Sequence, residues 1–267
     1  MVGRALDCGV NFFDTADGYA GGESETLLGH ALRSHRDSVV IATKVGFRTG
    51  PALTQTGLSR RHISWSVDQS LKRLGTDWID VYIAHREDPY TPLEETLSAF
   101  DAVVRSGKVR YLGFSNWSAW KASAALEIQK ANGLAPFTHG QMHYSLLGRD
   151  VERDVIPMMR RYGLGLTVWS PLASGFLSGK YTRDTLSDPD NRYAGFDILP
   201  FDKEHGFSVP NLTTTSALRN RSFLRPISAS STPPRRWRRP IRTGSSTRWP
   251  TSRYHRRWRS AEIREPG

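Results

Sequence analysis

The sequence predicts an α/β fold of parallel strands, and it favours a (β/α)8 TIM barrel over an open sheet. Six short apolar runs, centred near residues 12, 41, 82, 112, 140 and 168, are each followed by a helical pattern or a polar turn. Alternation at roughly 30 residues per unit is typical of parallel strands joined by right-handed crossovers. Polar side chains follow nearly all of these runs, whereas an open sheet concentrates its ligands at one switch point. No GxGxxG turn follows any run, so the sequence argues against Rossmann-type nucleotide binding.

The first half of the chain contains three of the predicted strands. In order, we expect a helix over 1–7, a buried strand over 10–13, a helix over 23–33, a strand over 39–43, a helix over 60–74 and a strand over 79–84. The helix over 23–33 is expected to face inward with Leu27, Leu28, Ala31 and Leu32. Ser59 is the predicted start of the next helix, and Gly75 is its predicted stop.

The second half repeats the same alternation. The segment Thr91-Pro92-Leu93-Glu94 has the pattern of a capping box and predicts a helix that buries Leu97 and Phe100. A strand over 109–114, a helix from Ser118 to about 131, a strand over 137–142, a helix over 150–161 and a strand over 165–169 follow. The predicted barrel region is 1–207.

Residues 208–267 form a region of different composition. From 216 onward the chain has 14 Arg, no Lys and two acids, whereas 1–215 holds 23 basic and 24 acidic residues. The net charge of +11 is therefore the sum of +12 in this tail and −1 in residues 1–215. Without helical or strand periodicity the tail is expected to be disordered, or to result from a shifted reading frame in GC-rich DNA. A basic, aromatic-interleaved arm for RNA or DNA is the weaker alternative, so a nucleic-acid partner is not expected.

Cysteine usage and hydropathy indicate the compartment. The single cysteine, Cys8, excludes an intrachain disulfide and a Cys-based metal site, and we expect it to be a small buried apolar residue. No run approaches the roughly 18 apolar residues of a membrane span, and the N-terminus lacks a signal-peptide pattern. We therefore expect a cytoplasmic protein with neither a metal nor a membrane partner.

Four polar residues at the predicted strand ends form a candidate catalytic group: Asp14, Tyr19, Lys44 and His85. Taken singly, Asp14 would be a turn former and Tyr19 a half-buried aromatic residue. Lys44 would be a solvated charge, and His85 a strand-end histidine whose hydrogen bonds are satisfied. Together they suit carbonyl reduction, because an ammonium near a phenol favours the phenolate and lowers the phenol pKa. A carboxylate would hold that lysine, and a neutral histidine can orient the carbonyl oxygen while a cofactor gives the hydride.

Several longer segments resemble the successive motifs of the aldo-keto reductase family. They are NFFDTADGYAGGESETLLGHAL, IATKVG, SLKRLGTDWIDVYIAH, GKVRYLGFSNW and VWSPLASGFLSGKY, and the resemblance covers about 1–207. It implies a (β/α)8 barrel that binds NADPH and reduces a small-molecule aldehyde or ketone to an alcohol. It also implies that the four residues above are the catalytic tetrad, with Tyr19 as general acid.

The same resemblance implies a set of cofactor contacts. Ser115, Asn116 and Gln141 match the residues that bind the nicotinamide carboxamide, and Trp169 matches the aromatic residue that stacks on the nicotinamide ring. Ser170, Leu172, Ser174 and Gly175 match the loop around the pyrophosphate, and Lys180 lies just beyond it. Phe47 and Trp117 either line a substrate pocket or pack in the barrel.

The resemblance also has limits that bear on function. The family's hairpin and first strand, and its last strand with the helices around it, have no counterpart here, so we expect an incomplete barrel with two exposed edges. We expect low solubility or dimerisation through those edges. The segment that grips the adenosine 2′-phosphate is among the missing parts. The alternatives to a reductase are a non-catalytic NADPH-binding barrel, as in the family's channel accessory subunits, and an inactive gene remnant.

Overall fold

The computed structural model describes residues 1–180, which form a parallel six-stranded sheet flanked by helices. The strands are β1 (Phe12–Asp14), β2 (Val40–Val45), β3 (Ile79–Ala84), β4 (Val109–Ser115), β5 (Phe137–His143) and β6 (Gly165–Trp169). Each strand pairs in parallel with the next one along the chain. This order is that of an incomplete (β/α)8 TIM barrel, so the predicted fold class is confirmed. The predicted tail over 208–267 lies outside the described residues.

In the described part of the chain, six α-helices connect or precede the strands. They are α1 (Val2–Asp7), α2 (Glu23–Leu32), α3 (Arg60–Leu74), α4 (Leu93–Arg105), α5 (Ala119–Ala131) and α6 (Val155–Tyr162). The helix predicted over 150–161 is divided into a short 3-10 turn, Asp150–Glu152, and α6. Within residues 1–180, no helix combines the length and the apolar character needed to cross a membrane.

The main core lies between the sheet and the helices. Ile63 and Val67 of α3 and Phe100 of α4 are fully buried there. Trp117 is also buried and packs edge-on against Phe137, with ring centroids 5.5 Å apart. Trp117 is therefore a core residue rather than part of a substrate pocket.

A smaller apolar group covers the opposite face of the sheet. It consists of Ala42, Val81 and Ile83. Side chains alternate between the two faces of a strand, so Lys44 follows Ala42 on this face and His85 follows Ile83. The fold thereby places two of the predicted catalytic side chains above the same apolar layer.

The ends of α3 are those the sequence predicts. Ser59 Oγ accepts a hydrogen bond from the His62 N–H at 3.3 Å, and Gly75 has a φ of 64° that favours glycine. The capping box predicted for α4 does not form. Thr91 instead donates its hydroxyl to Asp88 Oδ2 at 2.7 Å, and the helix begins after Pro92.

Three burial predictions are wrong. The strand predicted over 10–13 is β1, and Val10 and Phe12 are exposed because β1 pairs only with β2 in the described sheet. In α2, Leu27 is 63% exposed and Ala31 also faces outward. Cys8 directly follows the short helix α1, none of whose residues is buried, and it is exposed.

The inward face of α2 consists of Glu25, Gly29 and Leu32. A buried glutamate is tolerated here because both of its carboxylate oxygens are bound. Thr43 donates to Oε1 at 2.5 Å, and Arg73 forms an ion pair with Oε2 at 2.7 Å. Apolar periodicity cannot reveal this arrangement, since the partners of Glu25 lie on β2 and α3.

Candidate active site

The structure brings the four predicted catalytic residues to one rim of the sheet. Asp14 ends β1, Lys44 lies near the end of β2, and His85 directly follows β3. Tyr19 begins the turn after β1. The carboxyl ends of parallel strands meet at the same edge, and this is why residues up to 71 positions apart along the chain converge.

The ammonium of Lys44 is the centre of this group. Its side chain is fully buried, and Nζ donates to Asp14 Oδ2 at 2.5 Å and to the Thr15 carbonyl at 2.7 Å. A longer contact of 3.5 Å reaches the Tyr19 hydroxyl. Burial lowers the pKa of Lys44, and the charge of Asp14 opposes that shift. The Asp14 carboxylate thus favours the charged form of Lys44 against the effect of burial.

Asp14 is held from both sides. Its Oδ2 binds Lys44, and its Oδ1 accepts a hydrogen bond from Gln141 Nε2 at 2.9 Å. Gln141 lies on β5, 127 positions along the chain. The predicted catalytic group and one of the predicted cofactor residues are therefore joined by a direct contact.

Tyr19 is protonated throughout the physiological pH range. Burial raises the pKa of its phenol to about 12, and the charges of Asp14 and Asp17 add to that shift. The sequence predicted the opposite direction, with Lys44 lowering this pKa. That prediction is wrong because burial and the two carboxylates dominate, while a single 3.5 Å contact joins Lys44 to the phenol. A protonated phenol can still act as an acid towards an alkoxide, which is the stronger base.

His85 is a neutral side chain against the same rim. Burial lowers the pKa of its imidazole well below the usual value, and the charges of Lys44 and Arg86 act in the same direction. Its ring lies edge-on to Tyr19, with centroids 5.7 Å apart, and to Phe47 at 4.3 Å. Nδ1 has no hydrogen-bond partner within the described part of the chain. A neutral imidazole in this position can donate one N–H to a substrate oxygen.

The predicted carboxamide-binding residues also lie together. Ser115 ends β4 and is aligned with Gln141 on β5. Asn116 donates from Nδ2 to Ser115 Oγ at 3.0 Å and accepts at Oδ1 from the indole N–H of Trp169 at 2.9 Å. Together these side chains offer hydrogen-bond donors and acceptors, as a carboxamide requires, so the residues present fit a nicotinamide.

Trp169 provides an accessible ring at this position. It ends β6 and is 41% exposed, while its ring centroid lies 4.6 Å from that of His143. An exposed indole held by one hydrogen bond is suited to stacking on a flat heteroaromatic ring.

The predicted pyrophosphate residues follow β6 in one loop. Ser170 and Ser174 both have a φ of 55°, in the left-handed region that non-glycine residues seldom adopt. The Ser174 N–H donates to Ser170 Oγ at 3.1 Å, and the Gly175 N–H donates to the Leu172 carbonyl at 3.0 Å. Lys180 is the last of the described residues. Ser170, Leu172, Ser174 and Gly175 therefore lie in one turn-rich loop, and Lys180 lies just beyond it.

Sequence reasoning missed a buried polar cluster directly below the rim, which we call the acid cluster. Its members are Asp17, Glu25, Ser66, Arg73 and Tyr82. Asp17 occupies the place between Asp14 and Tyr19 in the segment DTADGY. Its position in that segment, between two predicted catalytic residues, is the sequence signal that could have identified it.

Comparison with known proteins gives relatives of two kinds. The profile of the Aldo/keto reductase family matches residues 1–220. A Schizosaccharomyces pombe protein named putative voltage-gated potassium channel subunit beta is 47% identical over 184 residues, covering 67% of this chain and 53% of the relative. A probable channel subunit beta from Oryza sativa subsp. japonica is 43% identical, covering 73% and 60%. The versiconal hemiacetal acetate reductase of Aspergillus parasiticus is 39% identical over 220 residues, covering 74% and 63%.

The chain therefore spans between 53% and 63% of the length of these three relatives. Each relative is a longer protein, and its name describes that longer protein.

Proposed function

We propose a function from one established premise: this chain belongs to the aldo/keto reductase family. The proposed reaction is the NADPH-dependent reduction of an aldehyde or ketone to an alcohol. One observation carries it, namely the Lys44 ammonium that contacts both the Asp14 carboxylate and the Tyr19 hydroxyl beside the neutral His85. These are the parts needed to bind a carbonyl oxygen and to give it a proton.

Each of the four residues has a proposed part in the reaction. The His85 imidazole donates a hydrogen bond that orients the carbonyl oxygen next to Tyr19. NADPH, when bound, supplies a hydride to the carbonyl carbon. Tyr19 gives its proton to the oxygen, which would otherwise become an alkoxide. Lys44 stabilises the phenolate that remains, and Asp14 keeps that lysine charged.

The cofactor would be held at the adjoining rim. Ser115, Asn116 and Gln141 would bind the carboxamide, and Trp169 would stack on the nicotinamide ring. The loop with Ser170, Leu172, Ser174 and Gly175, together with Lys180, would contact the pyrophosphate. The preference for NADP over NAD is part of the proposal and comes from the family resemblance.

A second candidate function is cofactor binding without obligatory turnover. It is favoured by the relatives from Schizosaccharomyces pombe and Oryza sativa, which are named potassium channel beta subunits. The same rim would then bind NADPH without a catalytic role. Cofactor binding is common to both candidates, and carbonyl reduction separates them.

Titration of the full chain with NADPH tests the part that both candidates share. Because Trp169 would lie against the nicotinamide, we expect saturable quenching of tryptophan fluorescence. Trp169→Ala should remove most of this quenching and weaken binding by about 2- to 10-fold, the usual contribution of an aromatic contact. Trp120→Ala is the matched control, since Trp120 is highly exposed on α5.

Two results would contradict this assignment of the cofactor site. One is the absence of saturable quenching in a folded sample. The other is equal quenching by wild type and Trp169→Ala. If binding occurs, loss of NADPH absorbance in the presence of aldehydes and ketones then favours the reductase, and binding without any turnover favours the second candidate.

A further inference from the structure

The acid cluster below the rim contains two buried carboxylates that differ in their surroundings. Glu25 has a partner for each oxygen, Thr43 on one side and Arg73 on the other. Asp17 is 2% exposed, and its Oδ2 accepts a hydrogen bond from Ser66 Oγ at 2.8 Å. Its Oδ1 has no hydrogen-bond partner among residues 1–180. A buried carboxylate with an unsatisfied oxygen is costly in its charged form, so Asp17 readily retains a proton.

The Tyr82 hydroxyl reinforces this difference. It is fully buried on β3, with Ser66 as its polar neighbour in the cluster. The surroundings of Asp17 therefore contain a second buried hydroxyl rather than a cation in direct contact. Arg73, the nearest guanidinium of the cluster, is engaged by Glu25.

Asp17 is linked to the catalytic rim by position and by charge. Its backbone N–H donates to the Lys44 carbonyl at 3.2 Å, and it precedes Tyr19 by two residues. Its charge raises the pKa of Tyr19 and favours the ammonium of Lys44. The same cluster and rim also contain the charged groups of Glu25, Arg73 and Asp14, and the neutral His85.

We propose that Asp17 is a positioning residue whose own protonation sets how readily Tyr19 releases its proton, so that the rim has two states interconverted by pH. Its effect on catalysis rests on the proposed function. The proposed electrostatic coupling between Asp17 and Tyr19 does not require turnover.

The direction of the effect follows from the surroundings of Asp17. Burial raises the pKa of Asp17 to about 7, Glu25 adds to the shift, and the Ser66 hydrogen bond and the Arg73 charge oppose it. Below that pH Asp17 is neutral and its contribution to the high pKa of Tyr19 disappears. Above it, the Asp17 carboxylate makes the Tyr19 proton harder to remove. Reduction should therefore become slower as the pH rises through neutrality.

Nuclear magnetic resonance of the full chain tests the coupling without cofactor or substrate. Tyrosine is labelled with carbon-13 at Cζ, and the Tyr19 signal is identified by its absence in Tyr19→Phe. We expect this signal to shift with a midpoint near neutral pH in the wild type and to lose that midpoint in Asp17→Asn. Asp101→Asn is the matched control, since Asp101 is a buried carboxylate on α4 bound by Arg105 and the Ala135 N–H. It should leave the midpoint unchanged.

Ser66→Ala gives a second and independent readout. The Ser66 hydrogen bond lowers the pKa of Asp17, so its removal should move the Tyr19 midpoint to higher pH. Ser66→Ala also tests the coupling if the Asp17→Asn variant does not fold. Three results would overturn the proposal. The Tyr19 midpoint could persist in Asp17→Asn, it could stay at the same pH in Ser66→Ala, or it could be absent from the folded wild type.

The pH profile of carbonyl reduction tests the catalytic consequence. Between about pH 6 and pH 8 the wild-type kcat should fall about 3-fold or more, as expected when a general acid becomes weaker, and Asp17→Asn should show no such fall. If the Tyr19 midpoint behaves as expected but no carbonyl is reduced, the reductase function fails and the coupling stands. If reduction occurs with the same pH profile in wild type and Asp17→Asn, the role of Asp17 fails and the reductase function stands.

Discussion

Replacement of Tyr19 by phenylalanine is expected to lower kcat/KM for carbonyl reduction by about 10²- to 10⁴-fold, the usual contribution of a positioned general acid. The variant keeps the ring that lies edge-on to His85 and the Lys44–Asp14 ion pair, and it loses only the hydroxyl that gives the proton. NADPH affinity should change little, because Tyr19 has no proposed part in cofactor binding. Steady-state kinetics and the fluorescence titration measure the two effects separately.

Tyr90→Phe is the control for this prediction. Tyr90 lies in the loop after β3, its side chain is highly exposed, and its contact with Asp88 is made by the backbone N–H. Its replacement should leave kcat/KM unchanged. Retention of wild-type turnover by Tyr19→Phe would show that another group gives the proton.

Gly29→Ala is expected to reduce the free energy of unfolding by about 3 kcal/mol, at the upper end of the usual cost of overpacking. Gly29 lies on the inward face of α2, where a Cβ atom would be 2.1 Å from the Leu74 carbonyl oxygen at the end of α3. That atom belongs to the backbone, so the two helices must move apart. Denaturant unfolding of wild type and variant gives the difference.

Gly3→Ala provides a control of the opposite sign. Gly3 lies in α1, and nothing is within 4 Å of the Cβ atom that alanine would add. Alanine is the better helix former by about 1 kcal/mol, so this variant should be equally or more stable. Equal stabilities of Gly29→Ala and wild type would contradict the close packing of α2 on α3.

The strands could be predicted because their signals are local. The apolar runs of β3 and β6 are bounded by residues that stop a helix or begin a turn, and the predicted ranges match the structure. Burial on α2 could not be predicted in the same way. Glu25 is buried because Thr43 and Arg73 bind it, and neither partner is near it in the chain.

The same distinction applies to the site. Convergence of Asp14, Lys44 and His85 follows from the parallel sheet alone, since each residue lies at a strand end. The electrostatics of Tyr19 do not follow from it, because its pKa depends on burial and on the charges of Asp14 and Asp17. The contact between Gln141 and Asp14 joins residues 127 positions apart and has no sequence signal.

Transfer of deuterium from labelled NADPH to a carbonyl substrate is a direct test of the proposed reduction. The full chain is incubated with an aldehyde or ketone and with NADPH that carries deuterium at the transferred position, and the alcohol is analysed by mass spectrometry. The proposed mechanism predicts deuterium on the carbon that was the carbonyl carbon, formed by the wild type and far more slowly by Tyr19→Phe. Alcohol without deuterium, or no alcohol from a folded chain that binds NADPH, would contradict it.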